Sequence, residues 1–548
     1  MSHRNPRTRL ATHEVVNQSA PLEDVNLFAA DEILRSACAW SGAGAHAPRL
    51  RAFGERVGSA EAQAWGAQAN AAPPALRAFD RFGRRIDEVE FHPAYHRLMA
   101  LGLEAGVSGA AWTTPACGHA LHAALLFLMG QADYGVCCPM SMTYAAVPAL
   151  RAEPALAEAW VPRVTAEAYD PRVIPAPEKR AATLGMAMTE KQGGSDVRAN
   201  ATRAEPQADG GYRLVGHKWF CSAPMSDGFL TLAYAAGGLT CFLAPRWTPD
   251  GERNAIEIQR LKDKLGDRSN ASAEIEYRGA YARRVGPEGR GVRTIIEMVQ
   301  LTRLDCVIGS ATQMRQALSL AIRHAQGRAA FQRRLIDQPL MRAVLADLAL
   351  DVEAATALAF RLARALDRAD DPREAALARI GLPLAKYLVT KRAPAVAAEA
   401  LECLGGAGYV EETPMARIFR QSPLNAVWEG SGNVIALDLL RALAREPDAR
   451  EALVGELREA GGGALGPGAG AAAEAEALLS GSVPEGQARH AVERLALGLA
   501  WAVLARHAPA AAADGFAARR LDAPSLTLGA GGPAIDEDAL IARATLAT

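Results

Sequence analysis

Between about Ala182 and Val285 the sequence abandons helical periodicity for short apolar blocks, LGMAMTE, YRLVGHKWFCSA, FLTLAYAA, LTCFLAPR and AEIEYRGA, separated by turn residues such as Asp209-Gly210-Gly211. Helical patterns flank this stretch on both sides. From Asn26 to about Asp170 the reading is mainly helical, as in HALHAALLFLMGQ (His119–Gln131). After Gly291 long runs resume, among them LMRAVLADLALDVEAATALAFRLARAL (Leu340–Leu366), whose Leu and Val spacing leaves an apolar stripe suited to a bundle. A chain of 548 residues does not close on one core. The expected fold is mainly α with a β-domain: an N-terminal helical domain over residues 1–181, a central β-barrel or sandwich over 182–290, a helical bundle over 291–445 and an extra, mainly helical C-terminal extension over 446–548. Within that extension GGGALGPGAGAAA (Gly461–Ala473) reads as a flexible linker.

Composition narrows the function classes. Half the residues are hydrophobic and the net charge is -1, so no global field draws the chain to nucleic acid or acidic membranes. No apolar run of about 18 residues suggests a membrane span, and the polar start MSHRNPRTRL does not resemble a secretory signal; a cytoplasmic location is expected. The eight cysteines form no CxxC pair and read as buried free thiols, and the eleven histidines show no ligand spacing, so no metal is expected.

Three segments carry chemistry. MTEKQGGSD (Met188–Asp196) runs from an apolar strand into a loop where Gly193 and Gly194 permit close approach and Thr189 and Ser195 offer hydroxyls to a ring carbonyl or a phosphate. Taken alone, such a loop is as readily a plain turn. GHKWFCSAPMSD (Gly216–Asp227) reads as a strand with Trp219 and Phe220 on opposite faces, one toward the core and one free to cover a ligand ring. NAVWEGSGNVIALDLLRAL (Asn425–Leu443) places Glu429 before a Gly-Ser-Gly-Asn loop that opens a helix, where free amides suit an anion and the carboxylate suits proton abstraction beside a carbonyl.

Together these segments resemble the acyl-CoA dehydrogenase superfamily. The resemblance implies an FAD flavoprotein in which Met188, Thr189, Gly194 and Ser195 grip the flavin, and Phe220-Cys221-Ser222 takes the place of a Trp-Ile-Thr strand. Val427-Trp428-Glu429-Gly430 stands for the turn carrying the catalytic glutamate, with Gly430, Ser431 and Asn433 toward flavin or its phosphates. RAAF (Arg328–Phe331) and LGGAGY (Leu404–Tyr409, with Gly405 and Gly406) resemble elements that bind the adenosine end across a subunit interface, which implies a homo-oligomer, a tetramer. Gln332 replaces the glycine usual in the first element. Some members carry the base just before a helix arginine, here Thr302-Arg303; threonine cannot serve, which leaves Glu429 as base and Arg303 to orient substrate or steady the turn. The implied reaction removes the α-proton of an acyl thioester by Glu429 while hydride passes from the β-carbon to flavin N5.

Longer runs, MTEKQGGSDV, YRLVGHKWF, RLKDKLGDRSNAS (Arg260–Ser272) and VWEGSGN, with THEVVNQSAPLEDVNL (Thr12–Leu27) and FHPAYH (Phe91–His96), are similar to the AidB-like subgroup of adaptive-response flavoproteins. That subgroup implies weak dehydrogenation of branched acyl-CoA, or alternatively DNA binding through a basic C-terminal domain in a DNA alkylation response. From Glu446 onward this chain carries eight arginines, no lysine and fourteen acidic residues. Such a segment repels phosphates unless its arginines gather on one face.

Overall fold

The computed structural model describes residues 6–460, 467–481, 483–532 and 534–547. Strands β1 (Ala75–Phe79) and β2 (Arg85–Glu90) form a hairpin, and β3 (Leu184–Ala187), β4 (Arg203–Pro206), β5 (Tyr212–Ser222), β6 (Gly228–Ala235), β7 (Gly238–Pro245), β8 (Ile256–Leu261) and β9 (Ser272–Val285) form one seven-stranded sheet. Its order is β3-β6-β4-β5-β9-β7, with β8 paired to β9, and antiparallel pairing of β6 with β7 closes the path into a barrel. FLTLAYAA and LTCFLAPR lack alternation because β6 and β7 are buried on both faces over most of their length.

The polar alternation of β5 leaves part of it open to solvent, and two register shifts interrupt its pairing with β9, one of them between Lys218 and Cys221. A shift of this kind re-aims side chains. Trp219 and Phe220 therefore do not divide between core and ligand as strict alternation predicts: Lys262 Nζ lies 3.2 Å from the centre of one ring and 4.8 Å from the other. The core positions of this stretch are Lys218 and Cys221, both at most 1% exposed.

The helical N-terminal stretch carries one element that a purely helical reading misses. The β1–β2 hairpin turns at Asp80, whose Oδ1 accepts from the amides of Phe82 (2.8 Å) and Arg84 (2.9 Å), with Gly83 in the left-handed region. Its arginines break the apolar alternation that would have announced strands. All eight cysteines are free and buried.

Three long helices, Gly291–Gly327, Pro339–Asp367 and Pro372–Cys403, pack against one another, and the C-terminal helix Ala488–His507 lies against the last two. The linker reading meets a correction: Pro467–Ser480 is helical, because its alanines outweigh two glycines, while 461–466 lies outside the described residues. Arginines of the extension turn inward. Arg520 pairs with Asp347 and Asp351 at 2.9 Å each, Arg543 with Glu353 (2.7 Å) and Glu32 (2.6 Å), Arg494 with Glu474 (2.7 Å) and Arg506 with Glu456 (3.1 Å). Among the described residues no helix is long and apolar enough to cross a membrane.

Removing one partner of a buried ion pair leaves an uncompensated charge, so Arg520→Ala is expected to cost about 3–5 kcal/mol in chemical denaturation. Arg458→Ala, at an exposed pair with Glu476, should change stability by less than about 1 kcal/mol.

Candidate functional site

Glu429 sits in a turn held from three sides. Its φ of 57° places a residue with a side chain in the left-handed region, followed by Gly430 at 96°. Lys386, 1% exposed within the helix Pro372–Cys403, donates to the carbonyls of Trp428 (2.8 Å) and Gly430. Arg303, 5% exposed on the helix Gly291–Gly327, donates from Nε to the Glu429 carbonyl (3.2 Å) and from a terminal nitrogen to Asp438 (3.1 Å). Below the turn, buried Asn425 accepts from Trp428 Nε1 (2.9 Å) and donates to Ser310 Oγ (3.0 Å).

The half-buried Glu429 side chain accepts from Thr302 Oγ1 at Oε2, 2.8 Å away. Desolvation pushes its carboxyl above the usual glutamate range. The Thr302 hydrogen bond and the charges of Arg303 and Lys386 oppose that push, and Asp305 adds to it. The outcome is a carboxylate with an increased affinity for a proton.

The hydroxyl loop is anchored by a residue the sequence reading passed over. Glu190 is fully buried, pairs with Lys218 (2.8 Å) and accepts from Thr202 Oγ1 and the Ala201 amide, both at 2.6 Å. Although burial works against ionisation, these bonds hold its carboxyl at about 2. The Thr189 carbonyl accepts from the Trp219 amide (2.8 Å), which ties loop to β5. A Cβ on Gly194 would lie 2.4 Å from Thr189 Oγ1, so the loop requires glycine there. Ser195 is exposed.

The loop is tied to β5, and loop and turn share one apolar cluster. Met188 and Trp428 pack on the same apolar cluster, with Cys138, Met142 and Leu301. The Cys138 thiol, raised to about 12 by burial, lies near enough to Ser222 and Glu429 for both to act on it. Cys221 points into the barrel core, and Phe220, 46% exposed, stays open to solvent, as do Val427 at 65% and Asn433. Ser431 caps the helix Gly432–Arg445 without a side-chain bond. Arg328, Phe331, Gly405 and Gly406 lie elsewhere on the surface: Arg328 bonds the Asn17 carbonyl (3.1 Å), Phe331 is 96% exposed, and the two glycines have nothing within 4 Å of an added Cβ.

The quoted run Arg260–Ser272 also reaches this region. Lys264 Nζ donates to Ser272 Oγ (3.3 Å), which lies 3.4 Å from Ser222 Oγ. Beside it Asp267 is 2% exposed, has φ 49°, and neither carboxylate oxygen has a hydrogen-bond partner among the described residues. Thr302, Lys386 and Asp267 were missed as site residues. The available signal was a charge inside an apolar run, as in GLPLAKYLVT (Gly381–Thr390).

Burial raises Asp267 to about 7, with Lys264 opposing and Asp133 reinforcing the shift. A carboxyl raised on folding binds more protons in the native state, so its contribution is complete below the unfolded value and is lost as pH climbs to about 7. Asp267→Asn, which tolerates the same backbone angle, should lack this loss. The stability difference between variant and parent in denaturant titrations should therefore grow in favour of asparagine between pH 4 and 8.

Comparison with known proteins places the chain. Residues 17–171 match the N-terminal domain of the adaptive response protein AidB, 185–280 the middle domain of acyl-CoA dehydrogenases and 289–444 their C-terminal domain. The AidB protein of Escherichia coli (strain K12) is 49% identical over 438 residues, 79% of this chain and 81% of that protein. Acyl-CoA dehydrogenase family member 11 of Caenorhabditis elegans is 34% identical over 410 residues, 72% of this chain and 66% of that one. The crystal structure of Caenorhabditis elegans ACDH-11 in complex with C11-CoA superposes with a TM-score of 0.85 at 27% identity, covering 95% of each chain. The chain thus belongs to the acyl-CoA dehydrogenase family, within its AidB-like group.

Proposed function

We propose that the chain is an FAD-dependent oxidoreductase of the acyl-CoA dehydrogenase type, with Glu429 as the base that removes the α-proton of an acyl thioester. The observation that carries this reading is the carboxylate of Glu429, pushed toward protonation by burial while Thr302 fixes one of its oxygens. Such a group accepts a proton more readily than an exposed glutamate.

The residues around it fit a flat tricyclic ring. Phe220 on β5 and Val427 in the turn expose apolar surface, Ser222 offers a hydroxyl, and the Gly194 loop lets backbone approach closely. Met188, Thr189, Ser195, Cys221, Trp428, Gly430, Ser431 and Asn433 complete the chain's own contribution. Bound FAD supplies the acceptor, flavin N5, for the hydride that leaves the β-carbon. The protein's share is alignment: Lys386 and Arg303 fix the backbone of the turn, and the thioester oxygen is met by the Glu429 amide. Arg328, Phe331, Gly405 and Gly406 take the adenosine end together with a second copy in a homotetramer; the 96% exposure of Phe331 and 82% exposure of Tyr409 favour a covering partner.

Among the described residues of the extension nothing favours the DNA-binding alternative. Six of its eight arginines, at positions 458, 494, 506, 520, 543 and 489, bond carboxylates or, for Arg489, the Tyr387 hydroxyl (3.2 Å). Five of them have their charge met by a carboxylate, which weakens any pull on phosphates.

Glu429→Gln is expected to bind FAD with an unchanged oxidised spectrum while flavin bleaching by anaerobic butyryl-CoA or isovaleryl-CoA slows by about 10²–10⁴-fold, the scale of a general base; bleaching at the parent rate would remove Glu429 from this role. Duplex DNA is expected to cause no mobility shift even at low salt, where phosphate contacts are strongest.

A further inference from the structure

A cavity of about 310 Å³ lies behind the wall of the site just described. Ala223 and Pro139 line it, whereas their chain neighbours Ser222 and Cys138 do not, and Cys138 lies near enough to Glu429 to feel its charge. Neither Glu429 nor any residue of the helix Gly291–Gly327 contributes to it. Its other walls come from the end of β2, from the FHPAYH run that no part of the proposed chemistry uses, from Tyr169–Ile174 and from the turn between β5 and β6.

Three properties define what it accepts. Its walls are aromatic: the rings of Phe91 and Tyr95 stack at 4.0 Å and 14°, and those of His96 and Tyr169 lie 6.0 Å apart at 26°. Of its charged lining groups all but Arg246 sit in ion pairs. Lys179 pairs with Asp227 (2.7 Å), Arg172 with Asp170 (2.6 Å), Arg77 with Glu90 (3.4 Å) and Glu88 with Arg253 (2.5 Å), while Arg246 bonds the carbonyls of Asp87 and Pro224. Its polar handles are few: Ser226, 2% exposed, has a hydroxyl without a partner among the described residues, and His96 has one ring nitrogen engaged by the Tyr169 hydroxyl at 2.7 Å. A buried hydroxyl left unpaired at a cavity wall marks a place where a partner belongs.

We infer that this cavity is a second ligand site, which takes an uncharged aromatic ring with a hydrogen-bonding edge. The ring lies among Phe91, Tyr95, His96 and Tyr169, and its polar edge bonds the Ser226 hydroxyl. A charged ligand would have to compete with ion pairs already formed. At this volume the ligand is small, near the lower end of ordinary ligand pockets. The inference is independent of the flavin chemistry.

The test is titration of the FAD-loaded protein with benzamide, benzoate and benzamidine, which share a shape and differ in charge, followed by calorimetry and ligand-observed NMR. Benzamide is expected to bind saturably and at least about fivefold more tightly than either ion; Ser226→Ala, with flavin spectrum and melting temperature unchanged, should weaken it about five- to tenfold, the scale of one hydrogen bond. His96→Leu should weaken it as well, and butyryl-CoA should not displace it. The inference is overturned if benzamide does not bind, if the ions bind equally well, if both variants bind as the parent does, or if butyryl-CoA competes.

Discussion

Two cations shielded from water, Lys386 and Arg303, hold the carbonyls of the Trp428–Gly430 turn, and the place of Glu429 depends on them. A side-chain-bearing residue in the left-handed region costs on the order of 1–3 kcal/mol. Hydrogen bonds from charged donors contribute about 1.5–3 kcal/mol each, so three such bonds to one turn outweigh the strain. Because the donors sit on two different long helices, the turn also records how those helices pack.

The same cations set the chemistry of the turn. Burial pushes the Glu429 carboxyl toward protonation; the Thr302 hydroxyl and the charges of Arg303 and Lys386 pull it partway back. Lys386 is subject to the mirror effect, its ammonium lowered by burial and supported by Cys306 and Glu429. Geometry and proton affinity are thus fixed by one set of contacts, and a change that loosens the turn also changes the Glu429 carboxylate.

The C-terminal extension is bound to the bundle by a similar logic. Asp347 and Asp351 face inward from the helix Pro339–Asp367, and Arg520 and Arg392 bring compensating charge to Asp351. An arginine-bearing, lysine-free tail is well suited to this, since a guanidinium can bond two carboxylates at once. The tail as a whole keeps an acidic excess, a charge balance that does not favour polyanions.

What the sequence determined by itself is the order of textures and the chemistry-bearing segments. Unbroken apolar blocks in β6 and β7 and the long periodic runs after Gly291 depend only on local side-chain pattern, and so they were legible. The β1–β2 hairpin was not, because arginines obscure its alternation, and the helix Pro467–Ser480 was mistaken for linker because glycines mask its alanines. Only the tertiary structure decided that the Thr302 hydroxyl holds the Glu429 carboxylate by a hydrogen bond, that Lys386 clamps a turn 42 residues away, and that Glu190 anchors the hydroxyl loop. The reason is that burial, and the partner a buried charge must then find, is a property of the folded interior and leaves no mark on the spacing of residues along the chain.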